Sequence, residues 1–404
     1  MTAVFRDACF LASLACAGWL APALCHAQDA AGTAPPQPAA PSSTAGPTRG
    51  NLLNPDISVV GWLQYSSGDL GSEGETEVEA GEPPFAQVNE MEMGLQAAVD
   101  PYSRADLFIA FSPEEGVDLE EGYLTLLALP AGFQARLGKH RSFIGRFNRT
   151  HPPETAFATR PLVHEIFLGE EGLFVTGGLL SHTIPNPWDL YVNVDVEVSS
   201  APDEGAIFAP AERSDLLYGG RASGFVDLTE AMNVSLGGSL YRGPFGLEDP
   251  VALEGDALHT TLVGGDVTFR WKDPERAIYR SLFWMTEVLS ASIESGAAGQ
   301  VPLARALQVD GAGEGDDRAT GMFTHVEYQF ARRWRLGGRY DWTELPGGGA
   351  LHESGALGYL TFTPSEFSLF SLQGVGRRDA SGVWDERAFV KVAFSMGPHG
   401  AHPF

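Results

Sequence analysis

The feature that most constrains the fold of this chain is the alternation of apolar and polar residues along many short segments. Residues 188–198 show it most clearly, because every second residue is apolar: Trp188, Leu190, Val192, Val194, Val196 and Val198. Segments 263–271, 322–330 and 334–342 repeat the pattern. Because side chains alternate between the two faces of a β-strand, each segment predicts a strand with one apolar and one polar face.

Strands of this kind need one dry and one wet environment, which a soluble β-sandwich or a membrane β-barrel supplies. Links between the strands alternate between short and long ones, which favours the barrel, since a soluble secreted β-protein has no reason to sort its loops in this way. Beyond the N-terminus no run of about 18 apolar residues occurs, so helical spans are excluded. Aromatic residues also gather at the ends of the apolar faces, as at a membrane interface: Trp188, Trp271, Trp334, Tyr340 and Trp342.

The pattern predicts an all-β fold, a transmembrane antiparallel β-barrel of about 16 strands in the bacterial outer membrane, with about 14 or 18 strands as the alternatives. We place the strands at 56–66, 86–99, 104–112, 118–128, 132–139, 172–183, 187–198, 214–226, 231–242, 258–271, 276–289, 319–330, 333–343, 352–363, 367–377 and 384–396. Short links are expected to be periplasmic turns. The longest links are expected to be external loops: 67–85, 140–171, 199–213, 243–257 and 290–318.

Both chain ends are typical of an exported barrel. Residues 1–27 combine a basic start, an apolar stretch and a small-residue cleavage site, and predict a signal peptide. Residues 28–50 are rich in Ala, Pro, Ser and Gly and predict a disordered leader. The barrel is then 51–404, and its last strand is followed by Phe404, which resembles the terminal aromatic signal of bacterial outer-membrane barrels.

The segment 140–171 differs from the other long links. It contains four arginines and four phenylalanines and follows Lys139, although the whole chain has a formal net charge of -26. Counting from the first strand, it is the third external link. A basic, aromatic-rich loop in an acidic chain is therefore the first candidate for a functional element.

The residues around this segment resemble a known family. Gly138, Lys139 and Gly145 have the spacing G-K-x-x-x-x-x-G, and Arg141 and Arg146 are the basic positions beside it. This segment and the strand plan are similar to phosphate-selective porin-like proteins. The resemblance implies an outer-membrane porin whose third loop folds into the lumen and sets the pore size, with a homotrimer as one expected assembly. No ladder of arginines is evident elsewhere in the sequence, so selectivity for phosphate is not carried over.

Two sets of charged residues follow as candidates for the pore. The positive set, at the expected constriction, is Lys139, Arg141, Arg146, Arg149 and Arg160. The set expected on the lumen wall is Glu90, Glu92, Asp189, Asp195, Glu197, Arg335 and Arg339. Charges at a narrow point set ion preference because an ion sheds part of its hydration there. The alternative is that the arginines pair with carboxylates and only hold the loop against the wall.

Other kinds of chemistry are only weakly indicated. His151 and His164, with Glu154 and Glu165, include residue types that bind zinc, but their spacing matches no tight metal motif. The mature chain contains no G-x-S-x-G, H-E-x-x-H or P-loop motif, so neither an enzyme nor a cofactor is predicted. The acidic stretch 67–82 is expected to be solvated, to bridge to lipopolysaccharide through cations, or to concentrate cations at the mouth.

The predicted function is passive diffusion of small hydrophilic solutes or ions across the outer membrane. The alternative is a non-channel receptor or binding barrel, for example one for metal uptake, that uses the acidic external loops. The expected partners are outer-membrane lipid, lipopolysaccharide and the solutes themselves, and nucleic acid is not expected among them.

Overall fold

The computed structural model describes residues 55–67, 86–113, 116–188, 190–202, 207–208, 214–245, 258–293, 318–346 and 351–397. Its strands are β1 (Asp56–Ser66), β2 (Ala86–Asp100), β3 (Ser103–Ser112), β4 (Gly116–Leu126), β5 (Phe133–Arg141), β6 (Phe174–Thr183), β7 (Tyr191–Ser200), β8 (Leu216–Thr229), β9 (Met232–Phe245), β10 (Leu258–Lys272), β11 (Ser281–Ile293), β12 (Arg318–Ala331), β13 (Trp334–Glu344), β14 (His352–Ser365), β15 (Ser368–Arg378) and β16 (Trp384–Met396). A short helix, α1 (Leu162–Leu168), lies between β5 and β6. The predicted signal peptide, the leader and the acidic stretch lie almost entirely outside the described residues.

The sheet is closed. Each strand pairs antiparallel with the next, and β1 pairs with β16, so that Val59 lies opposite Met396. The prediction of an antiparallel barrel with 16 strands is therefore confirmed. The strand start that differs most is that of β11, at Ser281 rather than at 276. Residues 273–280 form a turn instead, because the Asp273 carboxylate accepts hydrogen bonds from the backbone N–H groups of Glu275 and Arg276.

The two faces of the strands have different surroundings. On β7, Val196 and Val198 are 50% and 43% exposed, whereas the alternating residues Asp195 and Glu197 are buried. On β13, Leu336 is 56% exposed on the outer face. An outer surface of such residues is stable against hydrocarbon rather than water, which places this barrel in the bacterial outer membrane. No helix in the described part of the chain is long and apolar enough to cross a membrane.

A β-bulge on β4 brings two consecutive carboxylates to the inside of the barrel. Phe108 of β3 lies opposite Glu121, and the next residue, Ile109, lies opposite Leu119, so Glu120 is an extra residue in the ladder. Glu120 and Glu121 are accordingly both buried, at 2% and 5% exposure. A regular strand would have placed one of them on the outer face.

Residues 142–173, here called the third loop, fold into the lumen, and the main hydrophobic core lies there. Loop residues and wall residues form one cluster, whose members include Ile144, Phe147, Phe157, Val163, Phe167, Tyr241, Leu262, Leu289 and Phe323. Phe208, from the link between β7 and β8, belongs to the same cluster. The apolar side chains of the third loop thus pack against inward-facing residues of the wall.

Candidate functional site

The carboxylate of Glu287 on β11 holds the beginning of the third loop. It accepts hydrogen bonds from the backbone N–H groups of Arg146 at 2.8 Å and Phe147 at 3.1 Å, and it lies 2.8 Å from Nε2 of His164 on α1. Gly145 approaches it so closely that a Cβ there would overlap the carboxylate, and its φ of 60° is in the left-handed region. Only glycine fits both conditions without strain.

Glu197 on β7, one of the predicted wall residues, holds the same end of the loop. It accepts hydrogen bonds from the Ser142 hydroxyl at 3.1 Å and the Phe143 backbone N–H at 3.2 Å. The Tyr241 hydroxyl donates a further bond to the same oxygen at 2.8 Å. This wall carboxylate therefore contacts the loop and not an open pore.

Opposite these contacts, the wall binds backbone carbonyl groups of the loop. The ammonium group of Lys391 on β16 donates to the carbonyl oxygens of Pro152, Thr155 and Phe157 at 2.7, 2.9 and 2.9 Å. The side chain of Gln373 on β15 donates to the carbonyl of Ala156 at 2.6 Å. These hydrogen bonds attach the backbone of the middle of the loop to β15 and β16, which lie far from β5 and β6 in the barrel.

Arg339 on β13, another predicted wall residue, also binds the loop. It donates to the carbonyl oxygens of Thr159 at 2.7 Å and Arg160 at 3.1 Å, and it forms an ion pair with Asp341 at 2.8 Å. Arg335, on the same face of β13, lies 3.8 Å from Glu327. The loop is thus held by the wall from β7 around to β16.

Three of the five basic residues predicted for the constriction are engaged elsewhere. Lys139 shares the outward face of β5 with Leu137, which is 50% exposed, and lies 3.1 Å from Asp118, so it does not line the lumen. Arg141 is buried and forms an ion pair with Glu120 at 3.0 Å. Arg160 donates to the Asn148 side chain within the loop at 3.3 Å.

The other two, Arg146 and Arg149, have guanidinium groups without a carboxylate at ion-pair distance among the described residues. Burial and the charges of Arg270 and Arg149 lower the pKa of Arg146 to about 10. The position of Arg149 inside the barrel, which reduces its solvation, and then the charge of Arg221 lower the pKa of Arg149. Both remain charged at neutral pH. Arg146 and Arg149, together with the wall residues Arg136 on β5, Arg221 on β8 and Arg270 on β10, form a group of five arginines, here called the basic cluster.

Two carboxylates lie beside the basic cluster. Asp266 forms an ion pair with Arg221 at 2.6 Å. Asp195, a predicted wall residue, accepts hydrogen bonds from the Ser181 hydroxyl at 2.6 Å and the Asn193 amide at 2.9 Å. Asp195 and Asp266 both act electrostatically on Arg149. Arg136 also acts on Asp106, Glu121 and Glu197. The other four arginines outnumber Asp195 and Asp266, which leaves this part of the lumen positive.

A second, acidic group surrounds His151, whose ring reaches from the third loop to β2 and β4. Its Nδ1 lies 2.7 Å from Glu92 and 3.4 Å from Glu120, and its Nε2 lies 2.9 Å from Glu121. Burial opposes the charged imidazolium, but Glu92 and the hydrogen bonds to Glu120 and Glu121 outweigh it and raise the pKa of His151 well above its usual value. We call these residues, with Glu90, the His151 cluster.

His164 lies in different surroundings from His151, with Glu287 as its hydrogen-bonding partner. Burial lowers the pKa of His164, although the Glu287 charge acts in the opposite direction. The two histidines considered from the sequence as a weak metal pair therefore have separate carboxylate partners. Asp189, the remaining wall candidate, lies outside the described residues.

Several residues that shape the lumen were not among the predicted candidates: Arg136, Glu120, Glu121, Arg270, Glu287 and Lys391. One sequence signal was available for two of them, since the consecutive pair Glu120–Glu121 interrupts the alternation within β4 and indicates a bulge. Lys391 also stands at a polar position between Val390 and Val392 of the last strand.

Comparison with known proteins gives one sequence relative and a set of structures with the same fold. No family model matches the chain. A protein of Aquifex aeolicus (strain VF5), described as uncharacterized, is 30% identical over 343 residues, which are 78% of this chain and 70% of that protein.

The solved structures share the fold at low identity. OmpT of Vibrio cholerae, an outer membrane protein folded in vitro, has a TM-score of 0.53 and 8% identity over 87% of this chain and 100% of that chain. OprB of Pseudomonas putida has a TM-score of 0.52 and 12% identity over 85% and 94% of the two chains. The outer membrane channel DcaP of Acinetobacter baumannii has a TM-score of 0.51 and 13% identity over 85% and 96%.

Proposed function

The chain belongs to the same family as the uncharacterized Aquifex aeolicus protein, and we propose that it is a passive outer-membrane channel for small hydrophilic solutes and ions. In this proposal the third loop is the constriction. The fold supports it, because barrels of this architecture include an outer membrane channel. The loop supports it further, since it lies inside the lumen at the level of the basic cluster.

The observation that carries the proposal is the environment of Arg149. Its guanidinium acts electrostatically with Arg136, Asp195, Arg221 and Asp266, which lie on β5, β7, β8 and β10 along one side of the lumen. Although it lies inside the barrel, Arg149 is exposed to solvent, and Arg146 is partly exposed. A charged group that is inside the barrel and exposed supports a water-filled space at this place in the lumen.

The charge of this space favours anions at the constriction. Arg146 and Arg149 have no ion-pairing carboxylate among the described residues, and together with Arg221 and Arg270 they outnumber Asp195 and Asp266. A cluster of positive charge at a narrow, water-filled point stabilises anions as they shed hydration water. We therefore propose that small anions pass more readily than small cations.

Liposome swelling tests passive diffusion directly. Purified protein in liposomes should admit small uncharged sugars and progressively exclude larger ones, because the loop narrows the lumen. A variant in which part of the third loop is replaced by a short Gly-Ser linker should admit larger sugars. Liposomes that do not swell with the smallest sugar would contradict the channel proposal.

A second candidate function, a binding barrel that does not conduct, is favoured by one observation. The third loop contacts the wall from β2 to β16, and a hydrophobic cluster that includes Phe147, Phe157 and Phe323 packs the loop against the wall inside the lumen. Such a barrel would bind its ligand without conducting. It predicts no swelling and no conductance for the intact protein, and a pore only after the loop is shortened.

We further propose a homotrimer and contacts with lipopolysaccharide. One solved form of the Vibrio cholerae OmpT is a trimer, and the exposed apolar residues of β7 and β13 provide outer surface for either contact. Mass measurement of the detergent-solubilised protein distinguishes a monomer from a trimer.

A further inference from the structure

The lumen wall at β2 and β4 carries a dense group of carboxylates. Glu90, Glu92 and Glu120 act electrostatically on one another, and Glu154 of the third loop acts on Glu92. Glu121 adds another carboxylate at His151. The cations that act on the group are His151, Arg141, Lys391, Arg136 and Arg160. A bound divalent cation would reduce the mutual repulsion of Glu90, Glu92 and Glu120.

Three potential ligand atoms converge in this corner. Nδ1 of His151 lies 2.7 Å from Oε2 of Glu92 and 3.4 Å from Oε2 of Glu120. One ligand atom from each of these three residues lies within 4.8 Å of the others. Ligand atoms held about 2.0–2.2 Å from a tetrahedral zinc ion are roughly 3.4 Å apart, so the triangle needs only small side-chain movements to accept an ion.

The same three atoms have few partners besides one another. Oε2 of Glu92, Oε2 of Glu120 and Nδ1 of His151 are all buried, and apart from their mutual contacts at 2.7 and 3.4 Å none has a hydrogen-bonding partner within the described part of the chain. Glu120 and Glu92 are themselves only 2% and 6% exposed. Buried polar atoms with incomplete hydrogen bonding are costly, so three of them facing one point favour a further partner there.

We propose that Glu92, Glu120 and His151 bind a divalent transition-metal ion, with zinc as the probe used to detect it. The donor set of one imidazole nitrogen and two carboxylate oxygens suits zinc and its neighbours better than magnesium or calcium, which prefer oxygen ligands alone. Water completes the coordination from the lumen, because catalytic-type zinc sites with three protein ligands keep an open position.

Glu121 orients the histidine for this role. Its carboxylate lies 2.9 Å from Nε2 of His151, on the side of the ring away from Nδ1. A metal ion takes the place of the proton on Nδ1, which is released on binding, while the Glu121 carboxylate holds the remaining proton on Nε2. Glu121 is therefore a positioning residue, and the β-bulge that turns both Glu120 and Glu121 inward supplies a ligand and its orienting partner together.

Such an ion would connect the third loop to the barrel wall. His151 belongs to the loop, whereas Glu92 lies on β2 and Glu120 on β4, so the three ligands come from separate segments. The site does not depend on whether the barrel conducts, because the ligands are present in both candidate functions.

Isothermal titration calorimetry with zinc tests the site in the full-length, EDTA-treated protein in detergent. We expect one tight site per chain that His151→Gln and Glu92→Gln each weaken by roughly tenfold or more. The matched control is His182→Gln, since His182 stacks on Phe133 of β5 and is not part of the His151 cluster. X-ray absorption of the zinc-loaded protein should show one histidine nitrogen among light-atom ligands.

Zinc binding of equal strength in wild type and His151→Gln would overturn the proposal and assign the zinc to the acidic external stretches. An equal loss in His182→Gln, or an absorption spectrum without a histidine ligand, would also overturn it. Heat-modifiable migration in gels checks that each variant is folded. If His151→Gln does not fold, Glu120→Gln provides the same test from the wall side.

Discussion

The backbone N–H of Arg146 in the third loop donates a 2.8 Å hydrogen bond to the carboxylate of Glu287 on β11, across 141 residues of sequence. The same carboxylate binds Phe147 and His164, so a single wall residue fixes both the start of the loop and α1. Because Arg146 is one of the arginines that carry the proposed ion preference, the position of its charge depends on Glu287.

Replacement of Glu287 is expected to release the loop. In Glu287→Gln the amide oxygen can still accept the bonds from Arg146 and Phe147, but the NH₂ group cannot accept the bond from His164, and the negative charge is lost. A buried hydrogen bond to a charged group contributes about 1.5–3 kcal/mol. Chymotrypsin should then cut the third loop at its phenylalanines much faster than in wild type. Glu386→Gln, at an exposed position of β16, is the control and should leave cleavage slow; equal cleavage of wild type and Glu287→Gln would contradict the role of Glu287.

Gly145→Ala is expected to displace the loop through steric overlap and backbone strain. The new Cβ would overlap the Glu287 carboxylate, and φ at this position is 60°, which disfavours alanine. The strain amounts to about 1–3 kcal/mol. Single-channel recordings should show larger or noisier conductance than in wild type. Gly374→Ala, where nothing lies within 4 Å of the added Cβ, should conduct like wild type. Unchanged recordings for Gly145→Ala would show that this close approach is not needed to hold the loop.

The contact between α1 and the barrel wall is expected to weaken at acidic pH, because His164 of α1 forms that contact with Glu287. Burial lowers the pKa of His164 in the folded protein, and the charged groups that act on it are Glu287, Arg160 and Asp341. When a folded-state pKa lies below the unfolded one, the free loop takes up a proton first as the pH falls. The His164 contribution to stability is therefore complete above the usual histidine pKa of about 6.5 and declines as the pH falls below it.

Protease susceptibility of the third loop as a function of pH measures this effect. Wild-type cleavage should rise as the pH falls below about 6.5. His164→Gln should show a flatter profile because glutamine does not titrate in this range. Identical pH profiles for the two proteins would assign the acid sensitivity to other groups.

The barrel itself was predictable from sequence because the period of two in each strand fixes its inner and outer faces. The 16 strands and the inward position of Asp195 follow from that pattern. The same alternation places Lys139 outward with Leu137, so its assignment to the constriction overlooked information in the sequence. The similarity to phosphate-selective porin-like proteins, based on the G-K-x-x-x-x-x-G spacing, identified the segment that folds into the lumen. It gave no information on which face of the strand each side chain occupies.

The partners of the loop were not predictable in the same way. Strand register determines only neighbours in the sheet, whereas Glu287, Gln373 and Lys391 meet the loop across the lumen. Their contacts depend on the path of an irregular segment, which no periodic pattern encodes. The β-bulge at Glu120 had a sequence signal, but its consequence, a group of carboxylates around His151, requires β2 and the loop to be placed together.

The reversal potential across planar bilayers in a KCl gradient tests the proposed channel most directly. The reversal potential of wild type should have the sign of a chloride-selective channel, and the reversal potential of Arg149→Gln should lie closer to zero. A unit charge about 4 Å from an ion in water contributes about 1 kcal/mol, favourable for chloride and unfavourable for potassium, so the chloride-to-potassium permeability ratio should fall by at least roughly fivefold. Arg387→Gln, which removes a charge paired with Asp385 at 3.0 Å at the end of β16, should leave it unchanged. A barrel without conductance, or a potential unaffected by Arg149→Gln, would contradict a water-filled constriction at the basic cluster.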